Sequence, residues 1–118
     1  MKQSKIIKAY KDMEELASNS HLTDSEQWDL YQLRKTLRPH FEFQREREDI
    51  IRSKYADDID EQGNLHGEKA KQFLKEFEDL GSMEIEVEDF VKPRIRNAGI
   101  NFKTMEALED FIEFYKAE

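Results

Sequence analysis

From Trp28 to Tyr55 the apolar positions Leu30, Leu33, Leu37, Phe41, Ile51 and Tyr55 return to one face at helical spacing. The pattern predicts a helix of about 30 residues, about 45 Å long at a rise of about 1.5 Å per residue. Thr23 followed by Glu26 supplies a capping-box signature for its start. Pro39 sits mid-pattern, where a missing N–H and a clash with the carbonyl one turn back cost about 3 kcal/mol. The helix therefore kinks there, or breaks into collinear pieces near Arg38, because the face resumes in phase afterwards. Such a rod is longer than a thin core requires. Of 118 residues, 39% are charged and 37% hydrophobic, which is lean for a domain that buries about two-thirds of its unfolded surface. Stability is expected mostly from eight Phe, four Tyr and one Trp.

The other elements are read around this rod. Ile6, Ile7, Tyr10, Met13, Leu16 and Ala17 predict an amphipathic helix from Ser4, as N-cap, to about Ser18, followed by the polar link Asn19-Ser20-His21-Leu22. After Tyr55, ADDIDEQGNLHGE reads as a turn-rich connector or short hairpin. A third helix is expected from about Glu68 to Leu80, burying Ala70, Phe73, Leu74 and Phe77, with Gly81 as its C-cap. Strict alternation from Met83 to Glu88 predicts a half-buried acidic strand, paired with Asn64-Leu65-His66 or with a second copy. Pro93 and Gly99 bracket an irregular link, and a last helix from Asn101 or Thr104 buries Met105, Leu108, Phe111, Ile112 and Tyr115. The expected fold is α+β and mostly α. It is one domain, with residues 1–56 as helical hairpin, 57–67 as connector and 68–118 as helix, strand and helix, including a small two-stranded sheet.

The composition narrows the chemistry. With no cysteine there are no disulfides, thiolate nucleophiles or cysteine metal sites. No stretch approaches the length of an apolar membrane span, and the N-terminus lacks a signal-peptide core, so a cytoplasmic protein is expected. The segment Asp58 to Lys69 imitates a calcium loop, with acids at its first and third positions, glycine at its sixth and an apolar residue at its eighth. Position five is Gln62, and Lys69 stands where the bidentate glutamate belongs, so an ordinary acidic turn is the better reading. His21, His40 and His66 have no helical metal spacing. The serines Ser4, Ser18, Ser20, Ser25, Ser53 and Ser82 lie in caps or polar surface, and no nucleophile elbow or glycine-rich phosphate loop is present. Neither catalysis nor a cofactor or metal is expected.

Binding is the remaining reading. Residues 1–55 hold 11 basic and 10 acidic side chains, whereas 56–118 hold 8 and 17. Glu84, Glu86 and Glu88 on the strand, and Glu106, Glu109, Asp110 and Glu113 on the last helix, form acidic rows, with Glu76, Glu78 and Asp79 nearby in sequence. Carboxylates about 6 to 7 Å apart along a strand approximate the spacing of DNA phosphates, so the rows could occupy a DNA-binding protein. Arg34, Lys35, Arg38, Phe41, Phe43, Arg45 and Arg47 could form a nucleic-acid patch, but Glu42, Glu46, Glu48 and Asp49 cancel its field. Direct nucleic-acid binding is therefore not expected. Phe43, off the apolar stripe and flanked by Arg45 and Arg47, is read as an anchor for a protein partner or a self-dimer.

Several segments also resemble a family of small uncharacterised phage and prophage proteins of Gram-positive hosts. The matching pieces are Lys54-Tyr55-Ala56 before an acid-Gly-Asn turn, the Glu84 to Val87 segment, and Met105-Glu106-Ala107-Leu108 followed by Phe111-Ile112. The resemblance spans nearly the whole chain through structural motifs. The chain departs from it at Asn19–Leu22, where relatives carry a short Leu-Pro link, and at Phe102, where they start the last helix with proline. The resemblance implies a phage-encoded accessory protein without an assigned activity. Added to the acidic rows, it leads to an expected protein partner: a host nuclease or regulator that is inhibited, or a phage structural protein in assembly.

Overall fold

Three helices frame the protein, α1 (Gln3–Ala17), α2 (Asp24–Lys54) and α3 (Gly67–Ser82), in a computed structural model that describes residues 1–19 and 21–116. Ser20 of the first link lies outside the described residues. The capping box forms as expected: the Thr23 hydroxyl accepts from the Glu26 N–H at 3.1 Å, and the Glu26 carboxylate accepts from the Thr23 N–H at 2.9 Å. From there α2 runs 31 residues through Pro39 without a break. The proline stays on the exposed side, and Leu30, Leu33, Leu37, Ile51 and Tyr55 all lie within the buried stripe.

The two halves of α2 have different partners. Its first half packs against α1 and its second against α3, which folds back so that its C-terminal turn meets the start of α1; a Cβ on Gly81 would stand 3.4 Å from the Ser4 side chain. At this junction the buried Gln3 donates through Nε2 to the His40 carbonyl at 2.9 Å. One turn on, the buried Gln44 donates to Glu48. A polar layer thus separates two apolar clusters. The larger comprises Ile6, Ala9, Tyr10, Met13, Leu16, Leu30, Leu33, Leu37, Ile95, Leu108, Phe111 and Ile112; the smaller comprises Ile51, Tyr55 and Leu80. Each fully buried aliphatic or Phe side chain contributes about 1.5–3 kcal/mol.

The aromatic content does less than expected. Phe111, Tyr10 and Tyr55 are the aromatics buried outright among the described residues, while Trp28, Tyr31, Phe43 and Phe102 are exposed, so aliphatic side chains carry most of the core. Tyr115 and Leu74, both read as buried, are exposed as well.

The fold is α+β, mostly helical with a small two-stranded sheet, but the strands are not where alternation put them. β1 (Arg94–Arg96) and β2 (Glu113–Tyr115) pair in parallel, joined across the short helix α4 (Phe102–Leu108). A parallel pair needs such a crossover, because the chain must return to the same end. Pairing Ile95 with Phe114 seats Ile95 in the main core. The last helix therefore stops at Leu108, capped at its start by Asn101, and does not continue to Tyr115.

The segment 83–88 makes one antiparallel bridge, Lys2 with Glu84, rather than a strand paired with residues 64–66. Gln3 N–H donates to Met83 O and Ile85 N–H to Met1 O, both at 2.8 Å. The alternation still sorted inside from outside, since Ile85 and Val87 pack on the core while Glu84, Glu86 and Glu88 face out. Two caps also differ. Lys2, not Ser4, precedes α1, and Gly81 is helical, with Met83 as the C-cap of α3.

Candidate functional site

Two surfaces hold the residues singled out by sequence, and the structure keeps them on different elements. The first gathers most of the acids. The segment 84–92 runs beside the turn after α4: Phe90 stacks on Phe111 with ring centroids 6.0 Å apart, and the Lys92 amine donates to the Glu109 carbonyl at 3.5 Å. One stretch touches the residue before α1 and the other its first turn, through an ion pair of the Met1 amine with Glu84 at 3.0 Å and one of Lys5 with Asp110. The Lys5 ammonium bonded to Asp110 holds that carboxyl below its ordinary range. Glu113, on β2, meets Arg94 at 3.8 Å.

Three of the seven acids are thereby partly neutralised. Glu86, Glu88, Glu106 and Glu109 are exposed and stand in no ion pair among the described residues, and Asp89 joins them. Val91, 92% exposed, sits at their edge. Without a ladder through 84–88, regular phosphate-like spacing has no strand geometry behind it. What remains is a set of unpaired carboxylates on two segments joined by the Phe90–Phe111 stack and by Lys92. Glu76, Glu78 and Asp79 belong to α3 instead, where the Lys54 ammonium and then the Tyr55 hydroxyl bond to Glu76 and lower its pKa.

The second surface is the outward side of α2, with Phe43 40% exposed and Arg47, one turn on, exposed beside it, whereas the exposed Arg45 stands on another side of the helix. Sequence reading singled out Phe43, with Arg45 and Arg47, and no other exposed apolar residue of that side. Trp28, Tyr31 and Ile50 share that side at 61%, 45% and 40% exposure, and Trp28 stacks on Tyr31 at 5.6 Å. Their positions relative to Leu30, Leu33 and Leu37 were available in the helical pattern.

The calcium-like loop spends its ligands on itself. Asp60 Oδ1 accepts from the Gln62 and Asn64 N–H groups, both at 2.9 Å, and Oδ2 pairs with His66. The His66 bond, then the backbone donor of Asn64, lower the Asp60 pKa. Asp58 pairs with Lys69, the residue at the twelfth position, at 3.7 Å. Among the described residues no group of three or more acid or histidine side chains is placed to share a metal ion, and no helix is long and apolar enough to cross a membrane.

Sequence reading missed the wider role of Glu26. Beyond its cap, this buried carboxylate accepts from the Arg96 N–H at 2.7 Å and meets the Arg96 guanidinium at 3.4 Å, tying β1 to the start of α2. Burial pushes its pKa up, but the bonds from Thr23 and Arg96 outweigh burial and hold it below the ordinary 4.5. Comparison with protein-family models, curated proteins and solved structures finds no match to this chain.

Proposed function

We propose that this chain is a non-catalytic phage or prophage accessory protein that binds a basic surface of another protein, such as a host nuclease or regulator, in the cytoplasm of its bacterial host. The observation that carries this reading is that Glu86, Glu88, Glu106 and Glu109 are exposed and in no ion pair among the described residues, on two segments that the Phe90–Phe111 stack joins. Unpaired carboxylates have no evident stabilising role, since like charges repel, and they complement a cationic partner. Val91 supplies an apolar contact at the patch edge. A second reading, a component of particle assembly, draws on the exposed aromatic side of α2.

Affinity capture from a nuclease-treated lysate of a phage-carrying host, at low and high salt, tests the choice. The inhibitor reading expects a nuclease or regulator that is released by salt and lost when the four glutamates become glutamine. Retention of the same protein by that variant refutes the patch assignment, and capsid or tail proteins held at high salt establish the assembly reading instead.

A further inference from the structure

We propose that the outward side of α2 is a dimerisation surface, on which a second copy of this chain lies antiparallel with Pro39 against Pro39. At about 100° per residue, Trp28, Lys35, Pro39, Glu46 and Ile50 fall on one line, flanked by Tyr31 on one side and Phe43 on the other. That line is diametrically opposite Leu30, Leu33, Leu37 and Ile51, which face the core. The outward face of this helix therefore carries exposed Trp28, Tyr31, Phe43 and Ile50 among charged residues, opposite the stripe that faces the core.

Charge selects the occupant. Along the Tyr31 flank the basic residues Lys35 and Arg38 lie in the first half of the helix, and the acids Glu42, Glu46 and Asp49 in the second. Parallel stacking would set like charge against like. Antiparallel stacking by two-fold symmetry makes the same flank meet itself reversed, so Lys35 of each copy falls between Glu42 and Glu46 of the other. Lys35 and Glu46 are in no ion pair within one chain among the described residues, so both are available for this contact.

The register follows from the helix ends. Pro39 is the midpoint of Asp24–Lys54. Centring there overlaps the two helices along their whole length, and sets Trp28 against Ile50 of the second copy. A surface that complements itself under a two-fold rotation is what an isologous dimer requires. This inference stands apart from the acidic patch, whose four glutamates are not on α2.

The absence of native cysteine makes the test direct. Full-length protein should sediment as a dimer within the micromolar to submillimolar range. Pro39→Cys should form an intermolecular disulfide with itself, whereas Trp28→Cys should cross-link efficiently with Ile50→Cys and not with itself. Lys35→Glu should weaken association by about tenfold, since two symmetric contacts are lost, and Lys35→Glu combined with Glu42→Lys and Glu46→Lys should restore it. All these positions are on the exposed helix surface, and circular dichroism confirms that each variant keeps its helix content. A monomer throughout the concentration range, self-cross-linking of Trp28→Cys, or association indifferent to Lys35→Glu overturns the proposal, and none of these results bears on capture through the glutamates.

Discussion

The two ends of α2 are held by different physics. At its first half five elements converge, and twelve buried side chains close over one another. At its second half three buried residues suffice, and the remainder is aromatic edges and polar bridges: Tyr55 edge-on to Phe73, Phe73 against Phe77, Arg52 over Phe77, and Glu76 receiving both Lys54 and the Tyr55 hydroxyl. An apolar hollow of about 360 Å³, bordered by Ile59, Leu65, Phe73 and Leu74, stays open there. Unfilled space forfeits dispersion contacts, and exposed ion pairs contribute little. A single continuous helix therefore joins a tightly packed end to a loosely packed one, with the Gln3 and Gln44 layer between them. One helix does not imply one uniform stability.

The sharpest way to break the contrast is to empty the packed end. Phe111→Ala removes a fully buried ring and should cost about 4 kcal/mol in urea denaturation, a large part of the stability of a small domain. The same change at half-buried Phe77 should cost about 2 kcal/mol and loosen α3 while leaving the near-ultraviolet signal of the main core. Equal losses at the two sites would dissolve the distinction.

Gly99 probes the edge of the packed end, where a Cβ would lie 2.2 Å from the His21 ring and φ is +68°. Gly99→Ala should cost about 2 kcal/mol in thermal or chemical unfolding. Adding His21→Ala should remove the clash and leave about 1 kcal/mol from the left-handed backbone.

Glu26→Gln should cost about 1–2 kcal/mol at neutral pH, because the amide replaces a charged acceptor of several bonds. The folded pKa lies below the ordinary 4.5, so the contribution is complete above that pH and is lost as pH falls through the folded value. Acid titration of stability should accordingly be shallower in Glu26→Gln than in the unchanged protein. The smallest effect is expected at the loose end, where Tyr55→Phe loses the 2.7 Å bond to Glu76. Amide exchange in α3 should quicken a few-fold, with α1 unchanged.

How far the sequence reached depends on the range of the interaction. The capping box of Thr23 and Glu26, the length of α2 and the inward set Leu30, Leu33 and Leu37 were legible because each is fixed within a turn or two of helix. The in-phase pattern kept the two pieces collinear but allowed a kink or a break at Pro39, and the helix runs through without the break, with the proline on the exposed side. The acids of the patch were legible as exposed, though their neighbours were not. Strands β1 and β2 were hidden for the opposite reason: three residues such as Arg-Ile-Arg carry too little periodicity, and their pairing joins positions distant in the chain.

The sequence by itself determined which residues turn inward on α1 and α2, where α2 begins, and the excess of acid in the second half. Tertiary structure alone decided that residues 83–88 lie along the N-terminus instead of in a ladder, that Glu26 reaches Arg96, and that Lys5, Arg94 and the Met1 amine neutralise three of the seven acids. The division has one physical cause. Helix periodicity is written in neighbours along the chain, whereas hydrogen-bond partners and counter-charges are chosen by packing among segments that meet only after the chain has folded.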